Sequence, residues 1–326
     1  MFENKIILIT GGTGSWGQCL TKRLLKENVK EIRIYSRNEA SQVSMQRKFN
    51  NEKIKFIIGD VRNEKRLIEA MTNVDFVFHL AALKHVPICE YQPTEAIETN
   101  INGTINVIRA AKINNVNKVI AVSSDKAVSP HNVYGMTKAI EEKLMIIANK
   151  ESSTKYVCIR AGNVMGSAGS VIPLFINQLN NKQKITITDK NMTRFFITLD
   201  EAIELLIKAT FISYGGEIFV MNMPSLNIID LVTVLNKYYG NDNLKINYIG
   251  IRPGEKIHEE LINSLEMLNT YKIDENYFLI VPETMKDDIY KNYKNLIKTD
   301  LISYTSKDNL LNIKQIEERL KKGHFI

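Results

Sequence analysis

The stretch KIILITGGTGSWGQCLTKRLLKE, residues 5–27, decides the fold. KIILIT (Lys5–Thr10) is a short, continuous apolar run, the pattern of a strand covered on both faces. QCLTKRLLKE (Gln18–Glu27) reads as a helix. Between them, TGGTGSWG spaces Gly11, Gly14 and Gly17 as G-x-x-G-x-x-G. Glycine permits a tight turn and close approach of backbone to a pyrophosphate, and the following helix start offers N–H groups to an anion. A glycine triplet alone is weak evidence, so its position at the first strand-to-helix turn matters. Gly11, Thr13, Gly14, Ser15, Trp16 and Gly17 are therefore candidate cofactor-binding residues, with Trp16 walling the pocket.

The alternation continues outward from that turn. Strands are expected at Glu31–Tyr35, Lys55–Ile58, Asp75–Leu80, Lys118–Ser123 and Lys155–Arg160. Helices are expected at Ala40–Phe49, Glu64–Met71, Pro93–Asn114 and Val133–Asn149. Apolar strands separated by helices predict an α/β fold: a Rossmann-type, doubly wound parallel sheet. A smaller α/β substrate-binding lobe accounts for the less regular second half. The division predicted is residues 1–163 plus about 192–220 for the dinucleotide domain, and about 164–191 plus 221–326 for the lobe. The cleft between them is the expected ligand site.

With 326 residues, 44% hydrophobic and 24% charged, the chain is long enough for two such units and ordinary for a globular protein. Net charge is +7, but the charges are dispersed and read as solvated lysines, so no nucleic-acid partner is expected. No apolar run approaches the roughly 18 residues of a membrane span, and the first residues run straight into a strand. Neither a membrane association nor a targeting peptide is therefore expected. Cys19, Cys89 and Cys158 have no zinc or redox spacing, which suits a reducing cytoplasm and predicts no metal.

The second strand bears on the cofactor. A carboxylate at its end would favour NAD, but the strand ends Tyr35-Ser36-Arg37. Ser36 and Arg37 suit a 2′-phosphate, so NADP is expected, and the nearby Glu39 keeps NAD as the alternative. Asp60 and Val61 are expected at the adenine edge, and the small Ala81 and Ala82 beside the cofactor.

Chemistry concentrates in SSDKAVSPHNVYGMTK, residues 123–138. Tyr134 and Lys138 lie one helical turn apart and share a face. An ammonium beside a phenol lowers its pKa and lets it act as a base. Asp125 and Lys126 follow the fifth strand at its carboxyl end, the edge where open α/β sheets bind ligands. An adjacent acid and base there can protonate a leaving hydroxyl and remove a carbon-bound proton.

The sequence resembles the extended short-chain dehydrogenases/reductases, and among them the UDP-N-acetylglucosamine 4,6-dehydratases of bacterial sugar pathways. The resemblance is carried by ITGGTGSWG (9–17), YSRNE (35–39), GDVR (59–62), AALKHVP (81–87) and the 123–138 segment. RAGNVMGSAGSVIPLF (160–175), MTRFFITLDEA (192–202), GGEIFV (215–220) and IGIRPGEKIHE (249–259) add to it. It implies that Tyr134, with Lys138, takes the proton of the sugar 4-hydroxyl while hydride passes to NADP⁺. Lys126 would then remove the carbon-5 proton, Asp125 would protonate the departing 6-hydroxyl, and hydride would return to carbon 6. These roles require a neutral Lys126 and a protonated Asp125. The resemblance assigns substrate contacts to Lys84, Ser124, Asn163, Arg194, Arg252 and Glu255, with UDP-N-acetylglucosamine as substrate, and a homo-oligomer. Two other readings are carried forward: a nucleotide-sugar 4-epimerase, which needs no acid–base pair at 125–126, and a catalytically silent NADP-binding module.

Overall fold

The computed structural model describes residues 2–166, 170–240, 244–293 and 296–326. Ser167–Gly169, part of the quoted 160–175 segment, lie outside the described residues. The expected strands form as β1 (Ile6–Thr10), β2 (Glu31–Ser36), β3 (Ile54–Ile58), β4 (Phe76–His79), β5 (Lys118–Ser124) and β6 (Lys155–Ala161). They pair in parallel in the order β3-β2-β1-β4-β5-β6, and Ile218–Met221 adds a seventh parallel strand beside β6. Side chains such as Ile7, Leu8, Ile9, Val119 and Ile120 are fully buried. Each such side chain contributes about 1.5–3 kcal/mol by leaving water. The strand order reverses between β1 and β4, so the chain opens a crevice at the carboxyl ends of these strands.

The sheet is wider than predicted. Tyr277–Ile280 pairs antiparallel with Ile218–Met221, and Thr270–Lys272 and Ile297–Lys298 extend it further. These three strands, placed with the second lobe on sequence, therefore complete the edge of the main sheet. Their apolar side chains Tyr277 and Leu279 belong to its core. An antiparallel edge escapes the alternating strand-helix pattern that announces parallel strands.

A second, smaller core gathers Phe175, Ile185, Leu231 and Leu235 with Ile316 and Leu320 of the last helix. The strand Thr193–Ile197 straddles the two cores: Phe195 and Ile197 face the first, and Phe196 faces the second. Strand alternation produces that division.

The predicted helix Pro93–Asn114 is broken. It forms as Pro93–Ala96, a π-helical segment Ile97–Asn102 and Gly103–Ile113. The wide turn carries Asn100, whose side chain accepts from Leu83 N at 2.8 Å and donates to Leu83 O and Thr137 Oγ1, each at 2.9 Å. It ties the Ala81–Lys84 loop to the helix Val133–Glu151. Such π segments have no signature in hydrophobic period and occur often at functional sites.

Among the described residues no helix is long and apolar enough to cross a membrane. No cluster of His, Cys, Asp and Glu among them could hold a metal ion.

Candidate active site

One cavity of about 740 Å³ lies at the crevice, between the sheet and the second lobe. Apart from Glu39, every candidate residue named from sequence lines it, from Gly11 at one end to Arg252 and Glu255 at the other. Residues far apart in the chain meet there because the carboxyl ends of β1, β2, β4, β5 and β6 all point to that edge.

The glycine turn fits a dinucleotide. Gly11 has φ of +66°, and a Cβ there would lie 2.9 Å from the Ala81 backbone. A Cβ on Gly17 would lie 2.3 Å from Gly12 O, so only glycine lets the turn fold this tightly. The helix Ser15–Leu24 begins at Gly14 with no side-chain cap. An anion laid along the turn would meet its amino terminus. Gly17→Ala is expected to weaken dinucleotide binding by on the order of 10²-fold, since the backbone must shift by about an ångström. Fluorescence titration with NADPH measures this, and unchanged affinity would remove the turn from the site.

At the end of β2, Arg37 is half-exposed and only loosely paired with Asp60, at 3.8 Å. The Asp60 carboxylate is committed to Arg62, at 2.7 Å from its guanidinium and 2.9 Å from its backbone N–H. Burial would raise the Asp60 pKa, but the hydrogen bonds from Arg62 outweigh it and hold the carboxyl below its usual range. Asp60 thus reaches the cleft already occupied by an arginine. Ser36 is buried, and its oxygen accepts from Gln42 Nε2 at 3.0 Å. Glu39 is exposed on the helix Glu39–Phe49 and does not line the cleft.

The chemical residues come from the end of β5 and the next helix. Ser124 caps the short turn Asp125–Ala127. Asn132 caps the helix Val133–Glu151, which carries Tyr134 and Lys138 on its buried face. Asp125 is 1% exposed. Its Oδ1 accepts from Ser124 Oγ at 2.8 Å and from Lys126 Nζ at 3.1 Å, while Oδ2 is buried without a partner. Burial, only partly offset by Lys126, raises the Asp125 pKa, the direction its assigned role requires.

The resting proton of the Asp125–Lys126 pair, left open by sequence, departs from what the assigned roles require. Burial acts to lower its pKa, but the Asp125 and Glu259 carboxylates together outweigh burial and raise it. That direction favours the charged amine, whereas the role assigned by resemblance requires the neutral one. Tyr134 departs likewise. Burial raises its pKa despite the opposing pull of Lys138, Ser124 and Lys126. Lys138 is itself engaged, 2.6 Å from the buried Glu141.

Two residues were missed on sequence. Glu259, 3% exposed, lies 3.4 Å from Lys126 Nζ and 3.6 Å from Arg194 Nε. Glu141 pairs with Lys138 from the next turn of the same helix, and only its spacing could have signalled it. Arg194 lines the cleft, but its guanidinium donates to Thr193 O, Ile257 O and Lys256 O at 2.7–2.9 Å. Arg252 is exposed at the cleft and makes no ion pair among the described residues, so it is the freer guanidinium for a phosphate. Lys84 is exposed on the cleft wall, and Asn163 begins a two-residue strand, Asn163–Val164, beside Phe196 and Ile197. The Arg252–Lys256 loop docks on the catalytic segment: Asn132 Nδ2 donates to Gly254 O, and Lys256 Nζ to Val128 O, each at 2.8 Å.

A glycine turn on β1, a Tyr-x-x-x-Lys helix after β5 and a second core beside the sheet make a Rossmann-type fold, the arrangement that the resemblance to extended short-chain dehydrogenases/reductases implies. A family model described as polysaccharide biosynthesis protein matches residues 7–281, and the chain belongs to that family. It is 44% identical to an uncharacterised membrane protein of Methanocaldococcus jannaschii, over 100% of this chain and 98% of that one. It is also 44% identical to a UDP-glucose 4-epimerase of Rickettsia bellii, over 99% and 100% of the two chains. The solved structure of Pen from Bacillus thuringiensis superposes with a TM-score of 0.93 at 41% identity, covering 100% and 99% of the two chains.

Proposed function

We propose that the protein is an NADP-dependent nucleotide-sugar 4,6-dehydratase acting on UDP-N-acetylglucosamine. The observation that carries this reading is the Asp125–Lys126 pair, in contact at 3.1 Å and facing the same cleft as Tyr134. A hydride shuttle alone has no use for a second acid–base pair. Arg37, half-exposed at the end of β2, supports NADP over NAD. The cationic Lys84 and Arg252 support a diphosphate-bearing sugar.

The glycine turn, Ser36, Arg37 and Lys138 would hold the dinucleotide, which when bound supplies hydride acceptance and hydride return. The remaining steps belong to the protein. Tyr134 Oη takes the proton of the sugar 4-hydroxyl. The resulting ketone acidifies carbon 5, and Lys126 Nζ removes that proton. Asp125 delivers a proton to the departing 6-hydroxyl, which leaves as water. Lys126 then returns its proton to carbon 5. The charged resting pair is compatible with these roles, because one proton shifted from Lys126 Nζ to Asp125 Oδ1 creates base and acid together. The two groups therefore titrate as a unit.

The 44% identity to a protein named UDP-glucose 4-epimerase favours a second reading, 4-epimerisation with the same Tyr134. Incubation with UDP-N-acetylglucosamine and NADP⁺ in heavy water separates the two. The dehydratase yields a product lighter by one water, with deuterium at carbon 5 where the lysine proton has exchanged. A product of unchanged mass and inverted carbon 4 overturns the dehydratase. Bound NADP⁺ with unaltered sugar leaves the silent module.

A further inference from the structure

Glu259 arrives at the turn Asp125–Ala127 from the segment just before the strand Glu260–Ile262. Its backbone N–H donates to Ser306 Oγ at 2.8 Å, and its carbonyl accepts from Ser306 N at 2.8 Å. Ser306 Oγ is in turn 2.7 Å from Thr193 Oγ1, which also contacts His258 Nδ1 at 2.8 Å. This buried network fixes the Glu259 backbone. The carboxylate then reaches across to Lys126, 133 positions earlier, with Oε1 3.4 Å from the ammonium. The same oxygen lies 3.6 Å from Arg194 Nε, on a side chain braced by three carbonyls.

Resting on the dehydratase reading, we infer that Glu259 is the positioning residue that aims Lys126 and holds its proton between removal from carbon 5 and return to it. Lys126 sits between two carboxylates, Asp125 on its own turn and Glu259 from a segment 133 positions later. The other ionisable groups facing it are Tyr134, Arg194 and Lys256. Asp125 is the acid of the elimination and changes protonation during turnover. Glu259 does not take part in the chemistry, so it is the constant negative charge that the ammonium faces throughout. No atom of Glu259 forms or breaks a bond in this scheme; it acts through the lysine. A carboxylate that close favours the charged amine and shifts its titration upward.

The test is the pH dependence of kcat for water loss in Glu259→Gln and Glu259→Asp, measured on the full chain with NADP⁺ and UDP-N-acetylglucosamine. The active Lys126–Asp125 pair carries one proton between its two members, and a second proton would leave no free base, so wild type has an acid-side limb. Removing the Glu259 charge is expected to move that limb to lower pH by about 1–3 units, with kcat altered more than KM. Glu259→Asp keeps the charge but draws it back by one methylene, so a smaller shift in the same direction is expected. A limb unmoved in the glutamine variant, with KM raised instead, overturns the inference and leaves Glu259 a partner of Arg194 alone. Should the glutamine variant fail to fold, an unmoved limb in the aspartate variant overturns it equally. If wild type releases no water, the dehydratase reading itself fails, which is distinct from an active wild type whose limb ignores Glu259.

Discussion

Lys126→Met is expected to lower the rate of water loss by on the order of 10²–10⁴, the usual contribution of a positioned general base. Methionine keeps the length of the side chain and removes the ammonium. Asp125 and Glu259 would then face the cleft without the cation that separates them, and one of them would take up a proton. The fold would lose little, because a neutralised carboxyl costs far less than a buried charge. Oxidation at carbon 4 depends on Tyr134, so reduced nicotinamide should still accumulate on adding the sugar nucleotide and should now persist. Product mass and nicotinamide absorbance, read in one stopped-flow and quench series, check both halves. Water loss at the wild-type rate would exclude Lys126 as the base. Failure to bind the dinucleotide would mean the substitution had damaged the cleft instead.

Arg160→Met is expected to destabilise the folded protein by about 3–5 kcal/mol, the cost of breaking a buried ion pair from one side. Arg160 is 2% exposed at the end of β6. Its Nε and Nη2 donate to Glu142 at 2.8 and 2.7 Å, and its Nη1 and Nη2 donate to Glu266 at 2.9 and 2.7 Å. Nη1 also donates to Leu261 O at 3.0 Å. Glu142 lies on the helix that carries Tyr134 and Lys138, and Leu261 lies two residues beyond Glu259. One guanidinium therefore pins both sides of the cleft, and its loss should lower activity at temperatures where the variant remains folded. Denaturant unfolding gives the stability change. Adding Glu142→Gln to Arg160→Met should recover part of it, since the orphaned carboxylate is removed. A loss below about 1 kcal/mol, typical of an exposed pair, would show that the cluster is not desolvated.

Several features were legible without coordinates because their causes are local. The glycine spacing requires only that a strand enter and a helix leave, and β1 and the helix Ser15–Leu24 do so. Tyr134 and Lys138 share a face by helical period alone. Asp125 and Lys126 reach the cleft because any residue following β5 must. Even the distant Arg252 and Glu255 were reached, through motif resemblance, and they line the same cavity.

What escaped reading depends on pairs far apart in the chain. Nothing in the local pattern announces that Glu259 meets Lys126, that Glu266 meets Arg160, or that Thr270–Lys272 and Tyr277–Ile280 join the main sheet as antiparallel strands. The π turn at Ile97–Asn102 likewise exists to let Asn100 reach Leu83 and Thr137. The protonation of Tyr134 and of the Asp125–Lys126 pair was not readable for the same cause. A pKa is set by the balance of burial against every nearby charge, and both terms arise only after packing. Sequence determined which elements form and which chemical groups reach one edge of the sheet, because periodicity and turn chemistry act over a few residues. Tertiary structure alone decided which carboxylate faces which cation, because electrostatic energy depends on distance in space and on exclusion of water, neither of which chain position records.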